Sequence, residues 1–333
     1  MTMYNTEATK AFTDLLAGLQ PGVIQTRNTF SLVPLLPTEQ RAAFDQYVAP
    51  LEHLKLIRVQ TYGTLILQNV APQGQLIAPM HVGFFQPGAQ NHATSRVVIL
   101  ADGKQITVND CFCVQQTQGG LLQEAQQRFI ILPLGLRKAA LAKRGDNSFS
   151  RLWQDIDLHN RRYGIARGGH LERFLRPYFP RLQPFRHAFE ILPQQVGAAY
   201  FIAGQLVGIE VTPNAAYWRD VGPILNIYCY GAAALLAQRY RLKAEEQKID
   251  LEGLADLDDL AQRLREAREW EAAVRADLIQ EVAALPWQSS VEDETHGLRA
   301  LYVQQGEWVG QVVKEKDEVV YVSLFRDVVV DEV

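Results

Sequence analysis

Cysteine is scarce in this chain. Cys111, Cys113 and Cys229 are the only three among 333 residues, and two of them sit in apolar, core-like stretches. A disulfide framework is therefore not expected, and a reducing, cytoplasmic setting is. Long apolar runs are missing too. No stretch of about 18 uninterrupted apolar residues occurs, so no membrane span and no membrane partner are expected. The opening MTMYNTEATKAFTDLLAGLQPG has neither a basic start nor a continuous apolar run, and does not read as a secretory leader. Charge of one sign is also lacking. The balance of 33 Lys+Arg against 37 Asp+Glu leaves a formal −4, which argues against a globally basic nucleic-acid surface but leaves a local patch open. The familiar catalytic signatures are absent as well. There is no Gly-x-Ser-x-Gly, no phosphate-cradling glycine loop and no zinc-protease His-Glu pair.

What is present is ordinary globular material, 47% hydrophobic and 21% charged, enough for a sizeable core. Phe12, Leu15, Leu16 and Leu19 recur at helical spacing and Pro21-Gly22 closes that helix. NTFSLVPLL reads as a strand, and EQRAAFDQYVAPLEHL as a helix interrupted by Pro50. From Lys55 to Cys113 short apolar or alternating runs are punctuated by Gly63, Gly74, Pro87-Gly88 and Asp102-Gly103. The last of these is a hairpin signal between two such runs. An antiparallel sheet or sandwich of this region follows. Phe149, Leu152, Trp153 and Ile156 mark a helix behind a cap at Asn147 or Ser148, ended by Gly164. VGAAYFIAGQLVGIEV reads as a hairpin turning at Ala203-Gly204, and GPILNIYCYGAAALLAQRYRLKAEE as a buried helix with Pro223 in its first turn. Residues 250–285 carry a stripe of Leu254, Leu257, Leu260, Leu264, Ala267, Trp270, Val274, Leu278 and Val282 among many charges. That is an amphipathic helix, or two in sequence, roughly 50 Å long if unbroken, expected to pack on its own domain. A closing hairpin, WVGQVVKEKDEVVYVSLFRD, completes an α+β fold with an antiparallel β-rich N-terminal half, packed helices and C-terminal hairpins. The expected organisation is an N-terminal helix over 1–27 and one α+β domain over 28–333, with 240–286 a charged helical elaboration.

GAQNHATSRVV followed by ITVNDCFCVQ, then SRLWQDI, QQVGAAYFIAGQLVGIEV and EVVYVSLFRD, in this order resemble the ARG and Rhodanese-Phosphatase-superfamily-associated Protein domain, a bacterial family of unknown function. The resemblance implies accessory roles in bacterial regulatory or conflict systems. It also implies an amide and a basic residue after the first glycine turn, matched by Gln90 and Arg96. A cysteine, a valine and an acidic residue should follow. Here the run is Cys113-Val114-Gln115, so the carboxylate is missing.

The segment QPGAQNHATSR at 86–96 gathers Gln90, Asn91, His92, Thr94, Ser95 and Arg96 without a carboxylate. The amide of Gln90 and the fork of Arg96 suit a carboxylate or phosphate. The alternative is a connection whose side chains tie its own backbone. Cys111, Cys113, His81 and His92 form a conceivable Cys2His2 set, but the cysteine spacing is wrong for zinc, and neither a metal nor another cofactor is expected. Cys229, mid-helix, reads as a buried inert thiol. Asp155 and His159 share a helix face and suit general-base work or a surface interaction. HNRRYGIARGGHLERFLRPYFPRLQPFRH holds Arg161, Arg162, Arg167, Arg173, Arg176, Arg181 and Arg186, interleaved with aromatics. Arginines with aromatics hold nucleotide phosphates or single strands. The Gly168-Gly169 pair would allow close backbone approach to a ligand. A proline-broken connector with inward aromatics is the other reading.

The expectation is thus a non-catalytic binding or accessory module that recognises a small polar or anionic ligand or a protein partner. It would use Gln90 to Arg96 and an anion patch at Arg161, Arg162 and Arg167. The alternatives are a hydrolase or transferase using His92 or Asp155/His159, and a nucleic-acid binder through 161–186.

Overall fold

A computed structural model describes residues 6–85, 90–116, 128–243, 253–254 and 256–329. The Pro87-Gly88 turn lies outside the described residues. The class is α+β, built on antiparallel sheets. The largest is nine-stranded. It runs Leu19–Pro21, Phe30–Pro37, Gly197–Ile202, Gln205–Val211, Glu318–Phe325, Trp308–Glu315, Leu298–Gln305 and Gln288–Thr295, with Gln25–Arg27 also paired to Phe30–Pro37. Ala199 and Phe201 point to one face, Ala198, Tyr200 and Ile202 to the other, and all are buried. Period-two alternation therefore feeds two cores. On one side Ala8, Phe12, Leu15 and Leu16 of the helix Thr6–Ala17 pack with Trp287. On the other lies the helical stretch Ala215–Arg239 with residues of the two- and four-stranded sheets, while the three-stranded sheet of Leu54–Thr61, Thr64–Asn69 and Gln105–Val108 buries its side chains in a third cluster.

Local chemistry explains the elements that match expectation. Ala203 (φ 48°) and Gly204 (φ 80°) turn the Gly197–Val211 hairpin. Gly164 (φ 73°) follows the helix Trp153–Arg162, as a left-handed glycine at a helix end should. Ala215–Arg239 is long and apolar enough to cross a membrane by length and composition, yet 83% of its most apolar window is buried inside the fold.

Four features differ from the sequence reading. Residues 39–49 form turns rather than a helix, and only Pro50–His53 is helical. The Asn214 amide donates to Phe44 O and Tyr47 O at 2.9 Å each, so those carbonyls are satisfied from a distant residue. Asp102-Gly103 does turn, but Val98–Leu100 pairs with Leu76–Ala78 while Gln105–Val108 pairs with Thr64–Asn69. The buried helix begins at Ala215 rather than Gly222, because Asn214 Oδ1 caps it by accepting from Tyr217 N at 2.9 Å. The charged helix, Leu257–Ala283, buries only Ile279, Val282 and Ala283; Leu257 and Trp270 are exposed. Beyond these, residues 19–27 join the large sheet as strands.

Candidate functional site

The short strand His92–Ala93 lies between Val82–Phe85 and Phe112–Cys113 in a four-stranded sheet whose far edge is Arg128–Ile131. Gln90, Asn91, His92, Thr94 and Ser95 are buried; Arg96 is one-third exposed. The segment divides into two halves of different character.

Residues 94–96 are tied to the scaffold. Ser95 Oγ donates to Asp110 Oδ2 at 2.7 Å, and Arg96 Nε lies 3.4 Å from the same oxygen. Arg96 Nη1 reaches Glu292 O at 3.5 Å, and Gly145 N donates to Asp110 Oδ2 at 3.3 Å. The Arg96 fork is thus engaged within the protein. Asp110, in the apolar run VNDCFCV, is the anchor that sequence reasoning passed over; a lone acid in such a run was its only signal.

Residues 90–92 carry unspent hydrogen-bonding capacity. Gln90 Nε2 donates to Gln115 O at 2.8 Å and contacts Cys113 Sγ. The carbonyl of Gln115 requires a donor there, which fixes the amide orientation and leaves Gln90 Oε1 buried without a partner. His92 Nδ1 lies 2.9 Å from Gln90 O, so it carries the proton, and Nε2 is a bare acceptor, also buried and unpartnered. Burial pushes the His92 pKa down to about 4, so the ring is neutral at physiological pH. Tyr62 stacks on it with centroids 6.5 Å apart. Cys113 stands opposite His92 in the strand pair. Its thiol donates to Gln115 O at 3.0 Å, and burial raises its pKa. Gln115, where the resemblance implies an acid, therefore sits in this same cluster, with Oε1 accepting from Asn91 N at 3.2 Å.

Behind Ser95 lies a charged network that the sequence did not reveal. His81 Nε2 donates to Ser95 O at 3.1 Å, so Nδ1 accepts from Arg137 Nε at 3.4 Å. Arg137 is fully buried. Its Nη1 lies 2.6 Å from Glu210 Oε1, Nη2 donates to Ser323 Oγ at 2.6 Å, and the guanidinium stands 4.3 Å over the Phe325 ring. Tyr230 donates to Glu210 Oε1 at 2.8 Å. Burial, then the Arg137 cation, holds the His81 pKa well below its ordinary value. A lone arginine in LPLGLRKAALA and a lone acid in VGIEV were the available signals, since such charges are buried only as partners.

The remaining candidates do not converge. Cys111 Sγ faces Val108 O, while Cys113 and His81 have the partners described above. Among the described residues no group of three or more His, Cys, Asp or Glu is placed to hold a metal ion. Asp155 pairs with Lys143 rather than His159. His159 is buried against Tyr163 and Phe174, with centroids at 4.8 and 4.9 Å; burial and then Arg162 take its pKa to about 3. In the 161–186 segment Tyr163, Phe174 and Phe185 are buried while Arg161, Arg162, Arg167, Arg173, Arg176, Arg181 and Arg186 are exposed. Arg161 pairs with Asp157 at 3.1 Å. The glycine pair serves internal packing. Gly168 N donates to Asp157 Oδ1 and Gly169 N to Gln116 Oε1, and a Cβ on Gly169 would meet Trp153 at 2.6 Å.

No curated protein and no solved structure matches the sequence. One family model does, over residues 18–325. With nearly the whole fold inside that match, the chain belongs to the ARG and Rhodanese-Phosphatase-superfamily-associated Protein domain family.

Proposed function

We propose that this protein is a non-catalytic binding module, an accessory component in a bacterial regulatory or conflict system. It takes the hydrogen-bond-donating group of a small polar ligand (an ammonium, amide N–H or hydroxyl) at Gln90 Oε1 and His92 Nε2. The observation that carries this reading is the pair of buried, unpartnered acceptors on Gln90, whose amide nitrogen contacts the Cys113 thiol, and on His92, which stands opposite Cys113 in the strand pair. A buried acceptor left unpaired costs about 1–3 kcal/mol, which a donating ligand recovers. Arg96 is engaged by Asp110 and Glu292, so the unspent groups favour a donor over an anion. Binding is favoured over chemistry because an imidazole with pKa about 4 is a weak base at neutral pH, and the neighbouring thiol, its pKa raised by burial, donates a hydrogen bond to a carbonyl.

Thermal-shift measurements against a panel of primary amines, carboxamides and polyols test this. At least one class should raise the Tm of the wild type and fail to raise that of Gln90→Met. A panel that leaves the wild-type Tm unmoved, or a response retained in Gln90→Met, contradicts the proposal.

A further inference from the structure

A cleft of about 330 Å³ opens beside the far edge strand of the same small sheet. Its lining divides by chemistry. Phe129, Phe179, Ile224 and Ile227 form apolar walls, while Arg128, Arg186 and Tyr228 supply the polar groups. The two arginines come from separate elements, Arg128 opening the strand Arg128–Ile131 and Arg186 lying in the short turn Gln183–His187. Both are exposed, and among the described residues neither has an acidic partner. Arg128 stands 5.5 Å over the Phe179 ring, so one wall also orients a cation. The Tyr228 ring is buried, and burial lifts its pKa, keeping the hydroxyl a neutral donor. Among the described residues no carboxylate lines the cleft. Its floor is set by a π-helical turn, Leu225–Tyr230, a feature frequent at functional sites. That turn sends Ile227 and Tyr228 into the cleft, while Asn226 bonds Tyr200 and Tyr230 bonds Glu210 on the buried side.

Two cations lining one cleft, with no carboxylate beside them among the described residues, repel each other until an anion enters. The volume falls at the small end of ligand pockets, about 300–1,000 Å³. We infer that this cleft binds a small molecule with one anionic head group, carboxylate or phosphate, on an apolar body. The head sits between Arg128 and Arg186 with Tyr228 donating to it. The body lies against Phe129, Phe179, Ile224 and Ile227. The site shares no residue with the Gln90–His92 pair, so either stands if the other fails.

Fluorescence titration of the full chain with anilinonaphthalene sulfonate, followed by competition, tests the assignment. The wild type should bind the dye and release it to octanoate or octyl phosphate, but not to octanol. Arg128→Met/Arg186→Met should weaken dye binding about tenfold or more, the scale of losing one charge-assisted contact. Both residues are exposed, so the variant's Tm should stay near that of the wild type. Absence of dye binding by the wild type, equal affinity in the double variant, or displacement by octanol as readily as by octanoate would each overturn the inference.

Discussion

Removing Arg137 should be among the most damaging single changes available in this fold. Arg137 is 0% exposed and Glu210 2%, and their closest atoms are 2.6 Å apart. Arg137→Met preserves most of the volume and deletes the charge. It leaves Glu210 in the core with only the Tyr230 hydroxyl among its present charged or polar contacts. Breaking a buried pair from one side costs about 3–5 kcal/mol. For a chain of 333 residues that corresponds to a Tm fall of roughly 4–7 °C. Urea unfolding followed by tryptophan fluorescence reads the loss, since Trp218 and Trp287 are fully buried. The double variant Arg137→Met/Glu210→Leu, which removes both charges, should recover at least half the loss. A single-variant loss under about 1 kcal/mol, or a double variant worse than the single, would refute this account of the network.

Gly208→Ala should destabilise strongly, because the added methyl would collide with the Tyr230 hydroxyl that serves Glu210; a Tm within about 1 °C of wild type would contradict that packing. Arg96→Ala should cost under about 1 kcal/mol, since its 3.4 Å pairing with Asp110 is partly solvent-exposed, and should leave the response to donor ligands intact. Wild-type stability should fall on acidification from pH 6.5 toward 3. His92 and His159 have pKa values lowered to about 4 and about 3, so below 6.5 the unfolded chain takes up protons that the folded one refuses. A flat unfolding free energy over that range, or a slope unchanged in His92→Phe, would count against the assigned burial.

Legibility in the sequence tracked the distance over which the determining interaction acts. The hairpin around Ala203-Gly204 and the closing Trp308–Glu315/Glu318–Phe325 pair could be read because alternation and turn chemistry are local. The helix wrongly expected at 39–49 was overridden by an amide from Asn214, about 170 residues away. The strands Gln288–Thr295 and Leu298–Gln305 went unread because the outer one is a half-exposed edge with no clean alternation. The 86–96 segment stood out by composition. The burial of its residues 90–95 did not, because the groups that draw them inward are His81, Asp110 and Gln115 on other strands and loops. The pairing of Arg137 with Glu210 spans 73 residues, and the cleft at Arg128 and Arg186 is formed only by assembly.

The two idle acceptors beside Cys113 bear most directly on function. Denaturant unfolding of Gln90→Met/His92→Phe, with and without the amine, amide or polyol that stabilises the wild type, weighs them in one measurement. Without ligand the variant should lie within about 2 kcal/mol of the wild type, because relief of the desolvation cost of each removed acceptor offsets the lost donations from Gln90 Nε2 and His92 Nδ1. The ligand increment should vanish. A ligand-free variant less stable by more than about 2 kcal/mol would mean those atoms already serve the fold, and the binding reading would fail.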